Sequence, residues 1–224
     1  MTSVWDTSAL KVYQVEVTNH CDARCSYCPH SRHQRKRGFI TGETFSCVLD
    51  VATNRVMSMH HFGEPLLHRG LERLVSMASG RGFTVGFSTH GRGLTQERLN
   101  ALVDAGLSYL RLHTDPFGVR LSTFSIPPSL LATEHRLLVK SDAPKKELQS
   151  YAGFVDVEGE DLSRSARCSF LVDGWRAVCW DGSVALCCND VEATGSLDLC
   201  RRCAGYVFDS PLDWGDYDGE RRAL

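Results

Sequence analysis

Residues 11–18 read KVYQVEVT and residues 21–28 read CDARCSYC. The first segment alternates β-branched residues with polar ones and predicts a strand, so the cysteine loop follows directly on a strand end. Outward from this pair, helices and strands alternate. Thr41-Gly42-Glu43-Thr44 opens a helix reaching about residue 53, and residues 55–60 (RVMSMH) predict a short strand. Residues 66–79 carry Leu67, Leu71, Leu74, Val75 and Ala78 at helical spacing. Residues 83–89 (FTVGFST) predict a strand, Gly91-Arg92-Gly93 a turn, and Thr95 the start of a helix that Gly106 ends. Residues 108–114 (SYLRLHT) predict the next strand, 115–128 a loop, 135–140 (HRLLVK) a strand, 144–152 a short helix and 154–157 a further strand.

Such alternation implies a parallel sheet joined by right-handed crossovers. Six strands in about 150 residues are too few for an eightfold barrel. The expected fold is therefore α/β, an open, partial (β/α)6 TIM-like barrel with functional groups at the C-terminal ends of its strands. The pattern changes after residue 158. Residues 174–188 (GWRAVCWDGSVALCC) predict a β-hairpin turning at Asp181-Gly182. The expected domains are a barrel over 1–158, a small cysteine-bearing unit over 159–208, and a polar tail over 209–224.

The 224 residues are 42% hydrophobic and 23% charged, with a net charge of -2, an ordinary globular composition without the basic excess of a nucleic-acid surface. No apolar run reaches the roughly 18–20 residues needed to span a bilayer, and residues 1–10 lack the pattern of a secretory signal. The expectation is a cytoplasmic protein with neither nucleic-acid nor membrane partners. Its 10 cysteines are clustered: Cys21, Cys25 and Cys28 at one end, Cys168, Cys179, Cys187, Cys188, Cys200 and Cys203 at the other, and none between Cys47 and Cys168. Clusters at opposite ends of a reducing-compartment protein indicate metal sites rather than a disulfide framework.

The C-x3-C-x2-C spacing of Cys21, Cys25 and Cys28 suits a [4Fe–4S] cube that leaves one iron open. The competing ligand is zinc, for which His20 or His30 would supply the fourth bond. For the second cluster zinc is again the competitor, since four thiolates ending in C-x2-C suit a zinc ribbon.

At this point the chain resembles the radical S-adenosylmethionine superfamily. The resemblance is carried by the cysteine loop with Tyr27 before its third cysteine, by His61-Phe62-Gly63-Glu64-Pro65-Leu66-Leu67 after the second strand, and by Ser88-Thr89-His90-Gly91 after the third. The middle segment is similar to the family's GGE motif, with Phe62 at one of the usual glycine positions. The last is similar to a Ser-Thr-Asn-Gly turn, with His90 where asparagine is common. The resemblance implies a [4Fe–4S] cluster on Cys21, Cys25 and Cys28, whose open iron holds S-adenosylmethionine. It also implies cofactor contacts from Tyr27, Gly63, Glu64, Pro65, Ser88 and His90, and a 5′-deoxyadenosyl radical that takes hydrogen from substrate.

The C-terminal cysteines resemble the SPASM/twitch extension of the same superfamily. That likeness implies a second [4Fe–4S] cluster on Cys168, Cys187, Cys200 and Cys203, with Gly182 five residues before Cys187 as in the family pattern. Cys188 is then a non-ligand and Cys179 faces away. In size and layout the chain resembles the 2-deoxy-scyllo-inosamine dehydrogenases of that superfamily. This implies oxidation of a small, polar, sugar- or cyclitol-like metabolite, with Lys140 or His113 removing a hydroxyl proton and a flavodoxin-like electron donor. The alternatives are modification of a ribosomally made peptide, and a non-catalytic metal-binding module.

Other residues have plainer readings. The basic run 32–37 (RHQRKR) reads as a solvated loop, or as a surface that draws in an acidic substrate or donor. His60, His61, His90, His113, Asp115 and Lys140 lie at predicted strand ends facing the expected pocket. Glu64 is expected to orient backbone, Cys47 to be buried core, and Trp175 and Trp180 to pack the hairpin.

Overall fold

The computed structural model describes residues 9–25, 28–113, 117–135 and 174–194. Their strands are β1 (Lys11–Val15), β2 (Val56–Ser58), β3 (Thr84–Thr89), β4 (Leu107–His113), β5 (Leu131–His135), β6 (Trp175–Val178) and β7 (Val184–Ala185). The helices are α1 (Gly42–Val51), α2 (Leu71–Ser79) and α3 (Gln96–Asp104). The strands form one seven-stranded sheet in the order β5-β4-β3-β2-β1-β6-β7. Every neighbouring pair is parallel except β6–β7, which is antiparallel. The fold is thus α/β with an open, mainly parallel sheet.

Local chemistry accounts for the element ends. Thr41 caps α1 by accepting the Thr44 amide at 3.0 Å, and Thr95 caps α3 by accepting the Arg98 amide at 3.2 Å. The expected helix over 66–79 is split. Pro65–Leu67 form a 3-10 turn capped by Glu64, and α2 begins only after Gly70. The structure has a strand β5 at Leu131–His135, in register with Tyr109–His113, while residues 136–140 of the expected strand lie outside the described residues. The expected helix over 144–152 and strand over 154–157 lie outside the described residues.

The hairpin adds to the main sheet. Strand β6 lies parallel against β1, from Lys11↔Trp175 to Val15↔Val178, and the Glu16 amide extends the ladder to the Val178 carbonyl at 2.8 Å. The C-terminal segment thereby takes the edge of β1 next to the cysteine loop.

The helices cover one face of this sheet. Phe45, Val48 and Leu49 of α1, Leu71, Leu74, Val75 and Ala78 of α2, and Leu99 and Leu102 of α3 share a core with Val15, Met57, Val85, Phe87 and Leu110 of the strands. Burial of each such side chain contributes about 1.5–3 kcal/mol. Strand residues alternate, so the other face is set as well. One row there runs Gln14↔Ser58↔Gly86↔Tyr109, and the next Ser88↔Arg111↔Thr133, so polar residues are set among few apolar ones. Cys47 is exposed on α1, not buried as expected, because Phe45, Val48 and Leu49 take the inward face of that helix.

Candidate metal and cofactor site

The cysteine loop leaves the sheet at the C-terminal end of β1 and is held by its own return limb. Asn19 is fully buried; its side-chain amide donates to the Lys36 carbonyl at 2.9 Å and its side-chain oxygen accepts the Gly38 amide at 2.9 Å. Thr18 donates its hydroxyl to the Gly38 carbonyl at 2.7 Å. Arg37 donates to the Asn19 carbonyl at 2.8 Å and to the His30 carbonyl at 2.7 Å. His30 Nε2 lies 2.9 Å from the Asn19 carbonyl, so that nitrogen carries hydrogen and is engaged there rather than on a metal. His20 stacks on Phe39 with ring centres 4.6 Å apart.

Two of the thiols accept backbone amides. The Ala23 amide donates to Cys21 Sγ at 3.4 Å, and the His30 amide donates to Cys28. Burial nevertheless pushes Cys21 up to about 12 and Cys28 up to about 11, and neighbouring negative charge adds to both shifts. Thiols with amide donors aimed at them, which do not ionise unaided, form a donor set suited to a thiolate-binding metal. The residues present therefore fit an iron–sulfur group.

Two further strand ends close on this loop. Gly63 has φ +125, and a Cβ there would lie 2.2 Å from the Thr18 carbonyl oxygen, so only glycine lets the β2 loop touch the cysteine loop. The Glu64 amide then donates to the His20 carbonyl at 2.8 Å. The Glu64 side chain, 2% exposed, gathers donors from both directions. It accepts the Leu66 amide at 3.0 Å, the Thr89 hydroxyl at 2.6 Å and the His90 amide at 3.1 Å. Burial raises its pKa, and His90 and Thr89 oppose that rise. His90 Nε2 lies 3.2 Å from Glu64 and 2.9 Å from Asp22 of the cysteine loop. Cys21, Asp22 and His90 bring candidate ligand atoms within 4.8 Å of one another.

The family comparison bears on this arrangement. The Radical SAM superfamily profile matches residues 15–117, which hold the cysteine loop, the Gly63-Glu64-Pro65 segment and the Ser88-Thr89-His90 turn. Residues 15–117 are a radical SAM domain. The chain is 36% identical over 100 residues to the PqqA peptide cyclase of Rhizobium meliloti, a match covering 43% of this chain and 27% of that protein. It is 28% identical over 110 residues to the tungsten-containing aldehyde ferredoxin oxidoreductase cofactor-modifying protein of Pyrococcus furiosus, covering 47% of this chain and 31% of that protein. The matches therefore span about a third or less of the curated relatives' length. Among solved structures, BtrN in complex with AdoMet and 2-DOIA superposes with a TM-score of 0.61 at 22% identity, covering 81% of this chain and 74% of that one. That likeness concerns the fold.

Within the radical SAM domain the remaining sequence-derived residues are placed as follows. Ser88 lies on the polar face, and its amide donates to His60 Nδ1 at 3.4 Å. Ser58 Oγ is 2.6 Å from the same nitrogen. A backbone N–H is always the donor, so His60 Nδ1 is the acceptor and the hydrogen sits on Nε2. Burial, with His113 and Arg111 nearby, lowers the His60 pKa to about 3. His113 ends β4 in register with His135. Tyr27, Asp115 and Lys140 lie outside the described residues.

Of the C-terminal cysteines, Cys168, Cys200 and Cys203 lie outside the described residues. Cys187 is buried and its Sγ accepts the Asn189 amide at 3.4 Å, the same amide-two-residues-on contact that Cys21 makes. Cys188 instead points its thiol toward Asn189 Oδ1 at 3.7 Å. Cys179 is buried behind the hairpin turn, where burial pushes it up to about 12. Trp180 is half-buried and packs on the cysteine loop as well as the hairpin: its indole donates to the Lys36 carbonyl at 3.1 Å, and a Cβ on Gly38 would lie 2.4 Å from its ring.

Sequence reasoning missed the role of the basic run. Arg35 forks onto fully buried Glu16 at 2.7 and 2.6 Å, and Arg37 holds the loop backbone. They are internal ties, not a solvated patch. The signal for this was Glu16, an acidic residue in a strand that otherwise reads as buried.

Proposed function

We propose that this chain is a radical S-adenosylmethionine enzyme with two [4Fe–4S] clusters, which oxidises a small polar metabolite by hydrogen abstraction. When bound, the cluster and S-adenosylmethionine supply a one-electron cleavage whose carbon radical takes hydrogen from substrate. The observation that carries the reading is the junction at Glu64, where one carboxylate ties the Gly63-Glu64-Pro65 segment to the Thr89-His90 turn while its amide ties both to the cysteine loop.

In this reading Cys21, Cys25 and Cys28 hold the first cluster. Gly63, Glu64 and Pro65 shape the backbone that meets the cofactor's amino group, and Tyr27, Ser88 and His90 complete its surroundings. Cys187 holds the second cluster with Cys168, Cys200 and Cys203; its amide-to-sulfur contact supports choosing it over Cys188. The polar face around Ser58, Ser88 and Arg111 supports a polar substrate. His113 or Lys140 would remove the substrate proton. A fold likeness reaching across 81% of the chain, to a structure that holds AdoMet and 2-DOIA, supports a small ligand. Reduction by a flavodoxin-like donor in the cytoplasm completes the reading; among the described residues every cysteine is a free thiol.

The second reading is modification of a ribosomally made peptide, favoured by the 36% identity to a PqqA peptide cyclase. Anaerobic reconstitution with iron and sulfide should load about eight irons per chain. Dithionite and S-adenosylmethionine should then give 5′-deoxyadenosine. Four irons would remove the second cluster, and bound zinc without cleavage would leave only a metal-binding module. Hydrogen transfer to 5′-deoxyadenosine from a deuterated cyclitol, and not from a deuterated peptide, would decide between the substrates.

A further inference from the structure

Glu16 and Arg35 form the most buried arginine–carboxylate pair among the described residues, with side chains 0% and 11% exposed. The pair sits between two cysteine-bearing segments. Glu16 lies five residues before Cys21, and Arg35 seven after Cys28. Two guanidinium donors go to the Glu16 carboxylate at 2.7 and 2.6 Å, and the third, Nε, goes to the Val191 carbonyl at 2.8 Å, in the loop that follows Cys187. Neighbouring contacts repeat the connection. The Gln34 amide donates to Glu192 at 2.8 Å, and His61, next to the Gly63-Glu64 segment, reaches the Cys188 carbonyl at 3.0 Å. The Phe62 amide points at Glu16 from 3.4 Å. The loop itself is stiff: buried Asp190 accepts the Leu186 amide at 2.9 Å and the Thr194 amide at 2.9 Å.

We infer that Arg35, held by Glu16, is a positioning residue that fixes the Cys187 loop relative to the first cysteine loop, so that the second cluster assembles and takes its potential only while this clamp is closed. Arginine suits the role because its planar fork serves the carboxylate while Nε serves the backbone; lysine supplies a point charge for one of them. The proposal rests on the two-cluster reading above.

The test uses the full chain, reconstituted anaerobically with iron and sulfide and reduced with dithionite. Arg35→Met combined with Glu16→Gln removes both charges together, so no lone buried ion is stranded. Arg35→Lys keeps the charge and loses the fork. Iron content, the electron paramagnetic resonance of each cluster, the second cluster's midpoint potential, and deuterium exchange over residues 186–194 are measured. The double variant should keep the first cluster's signal, lose at least half of the second cluster's iron or shift its potential, and exchange at least tenfold faster over 186–194. Arg35→Lys should fall between it and the unsubstituted chain. Unchanged second-site iron, potential and exchange in the double variant would overturn the inference. So would loss of both clusters in the double variant with Arg35→Lys indistinguishable from the unsubstituted chain, which would mark the pair as a fold element alone. If the unsubstituted chain holds four irons and Cys187→Ser removes none, the two-cluster reading fails, while exchange over 186–194 still decides whether the clamp exists.

Discussion

Replacement of Gly63 by alanine isolates the contact that joins the β2 loop to the cysteine loop. The substitution meets two penalties. A non-glycine residue at φ +125 stands outside the comfortable backbone regions, at about 1–3 kcal/mol. The new Cβ would lie 2.2 Å from the Thr18 carbonyl oxygen and 2.9 Å from Asn19 Cα. Ordinary carbon–oxygen approach stops near about 3.3 Å, so one backbone must retreat by roughly 1 Å. Overpacking of that kind costs about 1–3 kcal/mol. The sum, about 4 kcal/mol, is a large fraction of the roughly 5–15 kcal/mol that holds a domain together. Gly82 is the control: its φ is +78, and a Cβ there meets nothing within 4 Å. Gly82→Ala should therefore cost only the conformational part, about 1–2 kcal/mol. Denaturant midpoints of the two variants, purified anaerobically without metal, measure the difference. Iron uptake after reconstitution then tells where the strain goes; displacement of Thr18 and Asn19 should impair loading at Cys21 in Gly63→Ala and not in Gly82→Ala. Equal midpoints with equal iron would refute the claim that the two loops touch through Gly63.

Cys187→Ser should lower bound iron by about half while Cys188→Ser leaves it near the parent value, because the Asn189 amide points at Cys187 Sγ; the reverse pattern in iron analysis would exchange their roles. Glu64→Gln turns one of the two acceptor oxygens into an amide NH2 facing either the Thr89 and Leu66 donors or the His90 amide, and should destabilise the chain by about 1.5–3 kcal/mol in denaturant titration; parent-like stability would mean those donors are satisfied elsewhere. His60 should show the neutral Nε2–H tautomer in ring nitrogen NMR, with no titration from pH 8 to about 5. Its folded pKa of about 3 lies below the ordinary 6.5, so the unfolded chain binds the proton first. This contribution to stability is present above about pH 6.5 and is lost as pH falls toward 3, a trend that His60→Gln should weaken; a folded-state titration near 6.5 would contradict the burial argument.

Much of this architecture is readable in the chain because local signals agree with the fold. The capping threonines Thr41 and Thr95 begin α1 and α3, and the apolar spacing through Leu71, Leu74, Val75 and Ala78 is the buried face of α2. The cysteine spacing and the Gly63-Glu64 pair are legible because clustered thiols and a positive-φ contact both restrict residue type. Other features leave no local trace. Strand β5 is one: LATEH carries little β propensity, and register against Tyr109–His113 makes it a strand. The docking of β6 onto β1 joins segments some 160 residues apart, and nothing in GWRAV names its partner. The inward turn of Arg35 and Arg37 depends on carboxylate and carbonyl acceptors far away in sequence, so the basic run looked like surface.

The polar residues on the face opposite α1, α2 and α3 depart from the usual pattern of a parallel sheet. Parallel sheets are normally covered on both faces by apolar layers, which makes their strands continuously hydrophobic. Here one face carries Met57, Val85, Phe87 and Leu110 against the helices, and the other carries Gln14, Ser58, His60, Ser88 and Arg111. Among the described residues the alternation thus sets apolar side chains against the helices and polar ones on the opposite face. His60 illustrates the consequence: its Nδ1 is occupied by Ser58 and the Ser88 amide, which leaves an Nε2–H donor on the same side as Arg111. The Glu64 junction gathers the cysteine loop and the β3 turn beside that face. The placement of the cysteine loop beside that polar face follows from which residues alternate in the strands and from one glycine that lets two loops touch.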